Sequence, residues 1–408
     1  MRPETSISPH RDNQKKIGFL IIALCLFSLW NFLMNGIVPA FAFRGVDFKG
    51  YYDFAVNLDP RTADQPVPWF LYFPLWGILF KPFTCFSYPL AKNLWVATNI
   101  LLTIGTIFMG GYLLSPGKGR FSFRVWEWGF LSILFFSYPP LWVTIKNGQI
   151  NLMVLALLTG SFLAWRYNYS VYAGIFLAFA ISTRYTPAIF LFFWCLKKEY
   201  KVCLSTLLTL LVIGISSVGI LGWKVHQDYW ILFKHYAAYT QTHPNLYGNV
   251  TLFSLLSNLK NSGYLPAGFS PMAGQMLFSL SLLMAVACIS FKLTRLNQKP
   301  SLIEYGLWAA ILPLISYFGE NHHYLFALLG FMGGWELKQR FEYRPALILL
   351  VGCWLGAGLV YHAQNMGISI LNGPYLNYLD GFFILGSSVI LWYLTYRFRS
   401  PIKEESFS

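Results

Sequence analysis

Charge is what this chain has least of. Only 11% of its 408 residues are charged, whereas an ordinary soluble domain carries about a quarter. Acids are scarcer still: 16 Asp and Glu stand against 30 Lys and Arg, a formal charge of +14. No polar stretch is long enough to form a separate soluble domain, and no internal repeat or low-complexity segment is visible. The six cysteines, Cys25, Cys85, Cys195, Cys203, Cys288 and Cys353, lack a C-x-x-C or other metal-type spacing. They read as small buried hydrophobes. Despite the positive charge, the basic residues fall in short clusters between apolar runs and make no stripe on one face, so no nucleic-acid partner is expected.

What the chain has is apolar length. Hydrophobic residues make up 56% and aromatics 19%, and runs near the roughly 20 residues that span a bilayer recur from Ile17 to Tyr396. This is the composition of an all-α, polytopic integral membrane protein with membrane lipids as its surroundings. The first run, from Ile17 to Phe43, exceeds a signal-peptide core and is expected to stay as a membrane helix.

Lys and Arg concentrate in cytoplasmic loops, which fixes the sidedness. Clusters at Arg2 to Lys16, Lys118 to Arg124, Arg166, Lys197 to Lys201, Lys292 to Lys299, Lys338 to Arg344 and Arg397 to Lys403 all face the cytoplasm if the chain crosses about twelve times. The expected segments are 17–43, 88–115, 126–145, 149–165, 171–184, 187–196, 202–222, 272–291, 302–317, 323–336, 345–362 and 381–396. This leaves a cytoplasmic tail at 1–16, a transmembrane domain at 17–396, and a cytoplasmic tail at 397–408. Two long outer loops are expected, 44–87 and 223–271; the aromatic stretch Trp69 to Phe83 should lie along the interface or re-enter, and the second loop should carry short surface helices. The fifth and sixth segments are too short to cross upright and meet at Thr183-Arg184-Tyr185-Thr186-Pro187. A proline break between short helices predicts irregular backbone lining a polar cavity.

With this topology the unusual polar clusters share the outer side. They are Arg44-Gly45-Val46-Asp47, Lys146-Asn147-Gly148-Gln149-Ile150-Asn151, Thr183-Arg184-Tyr185, Tyr247-Gly248-Asn249-Val250-Thr251 and Glu320-Asn321-His322-His323. Polar groups converging at one membrane face predict a single site. Asp47, just after the first membrane helix, is placed to act as a general base toward a sugar hydroxyl, or else is a solvated loop acid or helix cap. Arg184 is placed to bind a phosphate or to snorkel to the interface. Lys146 either shares the phosphate or marks a helix end. His322 and His323 are candidate phosphate donors, and adjacent histidines should point apart on a regular helix, which makes them poor co-ligands for a metal.

Asp47-Phe48-Lys49-Gly50-Tyr51-Tyr52, Asn147-Gly148-Gln149-Ile150-Asn151, Ala173-Gly174 leading to Thr183-Arg184-Tyr185-Thr186-Pro187, Gly248-Asn249, and Asn321-His322-His323 occur in an order that resembles glycosyltransferase family 87. This is the family of polyprenyl-phosphate-mannose-dependent mannosyltransferases in the GT-C superfamily. The resemblance runs from about residue 44 to 324, and its most specific block is Asn147 to Pro187.

It implies a GT-C-like hexosyltransferase, of mannosyl type, using a polyprenyl-phosphate-sugar donor and a lipid or glycan acceptor at the outer face of a cytoplasmic (inner) membrane. It further implies Asp47 as the base, Arg184, Lys146, His322 and His323 at the donor phosphate, and Tyr51, Tyr52, Asn147, Gln149, Asn151, Tyr185 and Asn249 as substrate-binding residues. The family's lysine before the proline is Arg184 here. No arginine follows Asn249-Val250-Thr251 where the family usually has one. A leaving monophosphate can be stabilised by protein cations, so no metal or other cofactor is expected. The competing reading is a secondary transporter or lipid flippase, which would place coupling charges near mid-membrane.

Overall fold

The computed structural model describes residues 9–58, 72–114, 125–245, 249–335, 344–357 and 378–397. Every regular element among them is helical. The chain begins with α1 (Pro9–Phe32), which runs through a π turn at Leu33–Ile37 into α2 (Val38–Ala42). The buried Gly36 lies in that turn, where a Cβ would sit 3.3 Å from the Trp142 ring. After a left-handed Gly45 comes α3 (Val46–Asn57). The apolar stretch Gly18–Asn57 is 40 residues, about 60 Å of helix and twice the thickness of a hydrocarbon core. The crossing part therefore ends near Ala42, and α3 lies beyond the membrane.

The remaining elements follow the apolar runs. They are α4 (Trp76–Phe80), α5 (Tyr88–Leu114), α6 (Val125–Phe136), α7 (Pro139–Asn147), α8 (Asn151–Arg166), α9 (Ser170–Thr183) and α10 (Ile189–Leu196). Then come α11 (Tyr200–Leu221), α12 (Trp223–Thr242), α13 (Leu252–Asn261), α14 (Pro271–Arg295), α15 (Leu302–Ile315), α16 (Ala327–Trp335), α17 (Arg344–Gly356) and α18 (Leu379–Arg397). The starts of α14 and α15 are set by Ser270 and Ser301, whose side chains accept the amide protons of Ala273 and Glu304.

Five stretches among the described residues are long and apolar enough to cross a membrane, and a sixth arises if α6 and α7 count together. Their outward faces are greasy: Leu207, Leu208, Leu211, Val212 and Ile215 of α11 are all exposed, as are Phe19, Leu26, Phe27 and Trp30 of α1. In water such faces would aggregate; in a bilayer they are the expected surface. Helices occupy the expected segments as far as the described residues go, but five to six stretches, not twelve, are long enough to cross, and α8, α9, α10, α15, α16 and α17 fall short of a full span.

Three expectations need correction. The 126–145 segment is not one helix: α6 and α7 meet at 57°, because Pro139 and Pro140 open α7 and Tyr138 before them is extended. Loop 223–271 holds a 20-residue helix, α12, rather than short helices alone. The cysteines are not all buried; Cys85, Cys195 and Cys288 are exposed, and Cys195 and Cys288 lie on helices whose apolar surroundings would be lipid. Asp59, Arg61, Asp64, the basic cluster at 118–124, Lys338, Arg340, Arg399 and Lys403, together with Tyr247, Gly248 and residues 358–362, lie outside the described residues.

The bundle is held by close helix crossings. In α15 every residue from Leu302 to Pro313 is buried, and this helix packs against α14, α16 and α18. Gly306 of α15 lies where a Cβ would meet the Leu329 carbonyl oxygen at 2.5 Å, and Gly333 of α16 similarly faces the Ile303 Cα at 2.5 Å. Only glycine permits backbones this near. A smaller core of Phe48, Tyr51, Phe54, Trp76, Phe80 and Trp95 fastens α3 and α4 onto α5.

The two ends of the bundle differ. At one end the buried Lys197 and Glu304 pair at 2.8 Å, and Arg166 at the end of α8 donates to the Leu113 carbonyl. At the other, about 24 Å away along α8, lie Gln149 and the break after α9.

Candidate functional site

At that second end a cavity of about 620 Å³ collects residues from widely separated parts of the chain. Asp47 comes from the first turn of α3, Gln149 from the turn between α7 and α8, Arg184 and Tyr185 from the break after α9, and Glu320, His322 and His323 from the segment after α15. The expected proline break is present. Pro187 sits in a short 3-10 turn, Thr186–Ala188, and Arg184 just before it has extended backbone (φ −140°, ψ 135°). This interruption turns Arg184 into the cavity instead of continuing α9 past it.

Asp47 is aimed by a hydrogen-bond triangle. The Tyr51 and Tyr72 hydroxyls are 2.9 Å apart, and each lies 3.2 Å from Gln149 Oε1. An oxygen that faces two hydroxyls leaves the amide nitrogen to donate, and Gln149 donates to the Asp47 carboxylate. Gly148 makes the turn that presents Gln149: its φ is 72°, and a Cβ there would lie 2.7 Å from Phe48 Cβ. Burial raises the Asp47 carboxyl from its ordinary value to about 6, against the lowering effects of Gln149 and Arg184. It is therefore ionised at neutral pH while remaining far more basic than an exposed aspartate, as a general base should be.

Arg184 is the centre of charge. Its guanidinium hydrogen-bonds Tyr72 and lies 6.0 Å from that ring's centroid. Its Nη2 is 2.7 Å from His323 Nε2. His322 and His323 are both buried, and burial together with the Arg184 charge pushes both imidazoles well below their usual range, so both are neutral. Their rings do not point apart as expected. They sit on the 3-10 turn Asn321–Phe326, whose tighter winding brings them edge to face at 4.3 Å, and both line the cavity.

The opposite wall is apolar and aromatic. Leu210, Ile213 and Gly214 of α11 and Tyr229, Trp230, Phe233 and Tyr236 of α12 form it. The sequence does not single these residues out, because aromatics facing a cavity and aromatics facing lipid look alike in one dimension. Tyr72 and Glu320 are also in the cavity without having been assigned a role; Glu320 stands in a polar cluster already noted.

Six of the expected site residues do not line the cavity. Lys146, in the last turn of α7, lies over the Phe43 ring at 5.0 Å. Asn147, beside it, is half-buried and outside the cavity lining. Asn151 is fully enclosed at the start of α8. Tyr52 donates to the Phe86 carbonyl at 2.9 Å, tying α3 to the loop before α5. Asn249 spends its amide on the backbone: Oδ1 accepts from Gly319 and Thr251, and Nδ2 donates to the Tyr317 carbonyl. It holds the segment that carries Glu320 and the histidines. Tyr185 does line the cavity and hydrogen-bonds Ser316, while Tyr51 acts one layer back through Gln149.

The described residues thus present one ionised carboxylate, one permanent cation, two neutral imidazoles and a greasy wall in a single cavity. No solved structure matches this chain. It is 28% identical over 188 residues to the polyprenol-phosphate-mannose-dependent alpha-(1-2)-phosphatidylinositol mannoside mannosyltransferase of Mycolicibacterium smegmatis, covering 44% of this chain and 41% of that protein. To the protein so named from Mycobacterium tuberculosis it is 26% identical over 197 residues, 44% of each. The matched region spans less than half the length of either relative. The model of glycosyltransferase family 87 matches residues 70–316, a majority of the chain and a range that includes Gln149 and Arg184. A glycosyltransferase is thereby favoured over a transporter, and the chain belongs to glycosyltransferase family 87.

Proposed function

We propose that this protein transfers a mannosyl group from a polyprenyl-phosphate-mannose donor to a hydroxyl of a lipid or glycan acceptor, at the outer face of a cytoplasmic membrane. One observation carries the reading: the Asp47 carboxylate and the Arg184 guanidinium share a cavity whose remaining wall is apolar and lies on the membrane helix α11. A lipid-phosphate sugar has the matching division into greasy chain, anion and polar ring. The two mycobacterial relatives are named for a polyprenol-phosphate-mannose donor, which supports the same choice of substrate.

In this reading the donor phosphate lies against Arg184 with His322 and His323 beside it, and the prenyl chain leaves along α11 and α12. The acceptor hydroxyl approaches Asp47, which takes its proton as the new bond to the anomeric carbon forms. Arg184 stabilises the charge that grows on the phosphate as the old bond breaks. Gln149, fixed by Tyr51 and Tyr72, orients the carboxylate. The guanidinium supplies the positive charge the leaving group requires, so the chemistry needs no metal. The sidedness rests on the basic clusters: Arg166 and Lys197 mark the end opposite the cavity and are read as cytoplasmic.

The test is transfer by the purified protein from synthetic polyprenyl-phosphate-mannose to glycolipid acceptors, with polyprenyl-phosphate-glucose in parallel. Mannosyl transfer is expected. Transfer of glucose alone would overturn the donor assignment, and transfer from a sugar nucleotide instead would overturn the lipid-phosphate reading.

A further inference from the structure

We propose that Glu320 is a second catalytic carboxyl of this site, entering the reaction as a neutral acid and giving its proton to the leaving phosphate. The inference rests on the transfer reading above and adds to it the fate of the leaving group.

Glu320 begins the turn that carries the histidines, and its side chain reaches the cavity shared with Asp47 and Arg184. The carboxyl is 24% exposed, and its Oε2 lies 3.5 Å from His322 Nδ1, a buried nitrogen without a hydrogen-bond partner. Its mount is rigid. The Val250 amide donates to the Gly319 carbonyl at 2.8 Å, Asn249 Oδ1 accepts the Gly319 amide at 3.0 Å, and the Glu320 amide donates to His323 Nδ1 at 3.0 Å. Starting the turn requires only an acceptor oxygen, which glutamine also supplies. A carboxyl at this place is therefore not demanded by the fold.

Charge balance shows why it should be protonated. Among the described residues lining the cavity, Arg184 is the one Lys or Arg side chain. The Asp47 carboxylate and an incoming phosphate already set two negative charges against that one positive charge. An ionised Glu320 would then face an incoming phosphate with no cation left to offset either. The other ionisable neighbours give no relief: His322 and His323 are held neutral, and Tyr72 and Tyr185 beside Arg184, Tyr229 and Tyr236 on α12, and Tyr317 are phenols, uncharged near neutral pH. Of the two carboxyls, Asp47 has the Gln149 amide and keeps its charge. Burial, followed by the Asp47 charge, raises Glu320 to about 8 despite Arg184, above Asp47 at about 6. Two carboxyls with separated affinities divide into base and acid.

The step balances. The acceptor oxygen bonds to the anomeric carbon, the bond from that carbon to the phosphate oxygen breaks, and the acceptor proton goes to Asp47. The Glu320 proton goes to the phosphate, which leaves as polyprenyl hydrogen phosphate. Return of the Asp47 proton to Glu320 within the cavity resets the site.

The experiment compares the full-length wild type with E320Q and E320A, measuring mannosyl transfer and binding of polyprenyl monophosphate between about pH 5 and 10. For the wild type, monophosphate binding should weaken above about pH 8, by up to tenfold per unit, as Glu320 ionises. For E320Q, binding should lose that alkaline decline while kcat falls about 10²-fold or more. Flat wild-type binding across pH 8 would overturn the proposal without needing any variant. So would E320Q with wild-type kcat or an unchanged alkaline decline. A wild type that transfers no sugar from any lipid phosphate would instead overturn the underlying transfer reading, and a wild type that transfers well but shows flat monophosphate binding would overturn only the role of Glu320.

Discussion

Arg184 and His323 are hydrogen-bond partners: Arg184 Nη2 lies 2.7 Å from His323 Nε2, while the Glu320 amide lies 3.0 Å from His323 Nδ1. A neutral imidazole has one nitrogen lone pair to offer, so the guanidinium and the amide compete for it. The shorter, charge-assisted contact is the one from Arg184, and it fixes the guanidinium against the histidine turn. The remaining guanidinium N–H groups are available to a phosphate oxygen in the cavity.

Replacing Arg184 by Gln removes the permanent charge from this pair. Loss of one charge-assisted contact should weaken donor use by about 1.5–3 kcal/mol, roughly 10- to 150-fold in kcat/KM for the donor. Donor titration of R184Q against wild type, at matched expression and thermal stability, checks this. Unchanged donor kinetics would assign Arg184 to the interface instead.

The buried pair of Lys197 and Glu304 should matter for folding and not for chemistry. Both side chains are 1% exposed and lie at the end opposite the cavity. Lys197→Met strands a buried carboxylate and should cost about 3–5 kcal/mol, whereas Lys197→Met with Glu304→Leu should recover most of the loss. Thermal unfolding in detergent separates the outcomes; equal destabilisation in single and double variants would deny the coupling.

Sidedness has its own test. In a background freed of native cysteines, a cysteine at the exposed Tyr264 position, in the loop between α13 and α14, should react with an impermeant thiol reagent in intact cells. One at Lys201, in the first turn of α11, should react only after permeabilisation. The reverse pattern would put the cavity on the cytoplasmic side.

The sequence made legible those features in which polarity or proline interrupts an apolar background. Pro187 marked the break that exposes Arg184, and Asp47, Gln149, His322 and His323 stood out as polar groups at the edge of membrane runs. Direction was not legible. Asn249, Tyr52 and Lys146 are as polar as the true cavity residues, yet Asn249 and Tyr52 hydrogen-bond backbone groups, and Lys146 lies over an aromatic ring. The kink at Tyr138 was missed because hydropathy runs unbroken through Pro139 and Pro140. The aromatic wall of α12 was missed because composition does not tell a cavity from a lipid face, and the meeting of Asp47 and Glu320 in one cavity joins distant parts of the chain in a way no local pattern encodes.

The central claim is that Asp47 is the base. Asp47→Asn keeps the shape and the hydrogen-bonding partner of the side chain and removes its basicity, so turnover should fall by about 10²–10⁴ while donor binding survives. In the wild type the base must be ionised, so kcat/KM should rise with pH through about 6, the value to which burial raises this carboxyl. Asp53 is the control: it is exposed and paired with Lys49 at 2.5 Å on the same helix, outside the cavity lining, and Asp53→Asn should cost little. The decisive measurement is sugar transfer by Asp47→Asn and Asp53→Asn side by side with wild type. A profound loss in the first and near-normal turnover in the second is the predicted result; an active Asp47→Asn, or an inactive Asp53→Asn, would contradict the account.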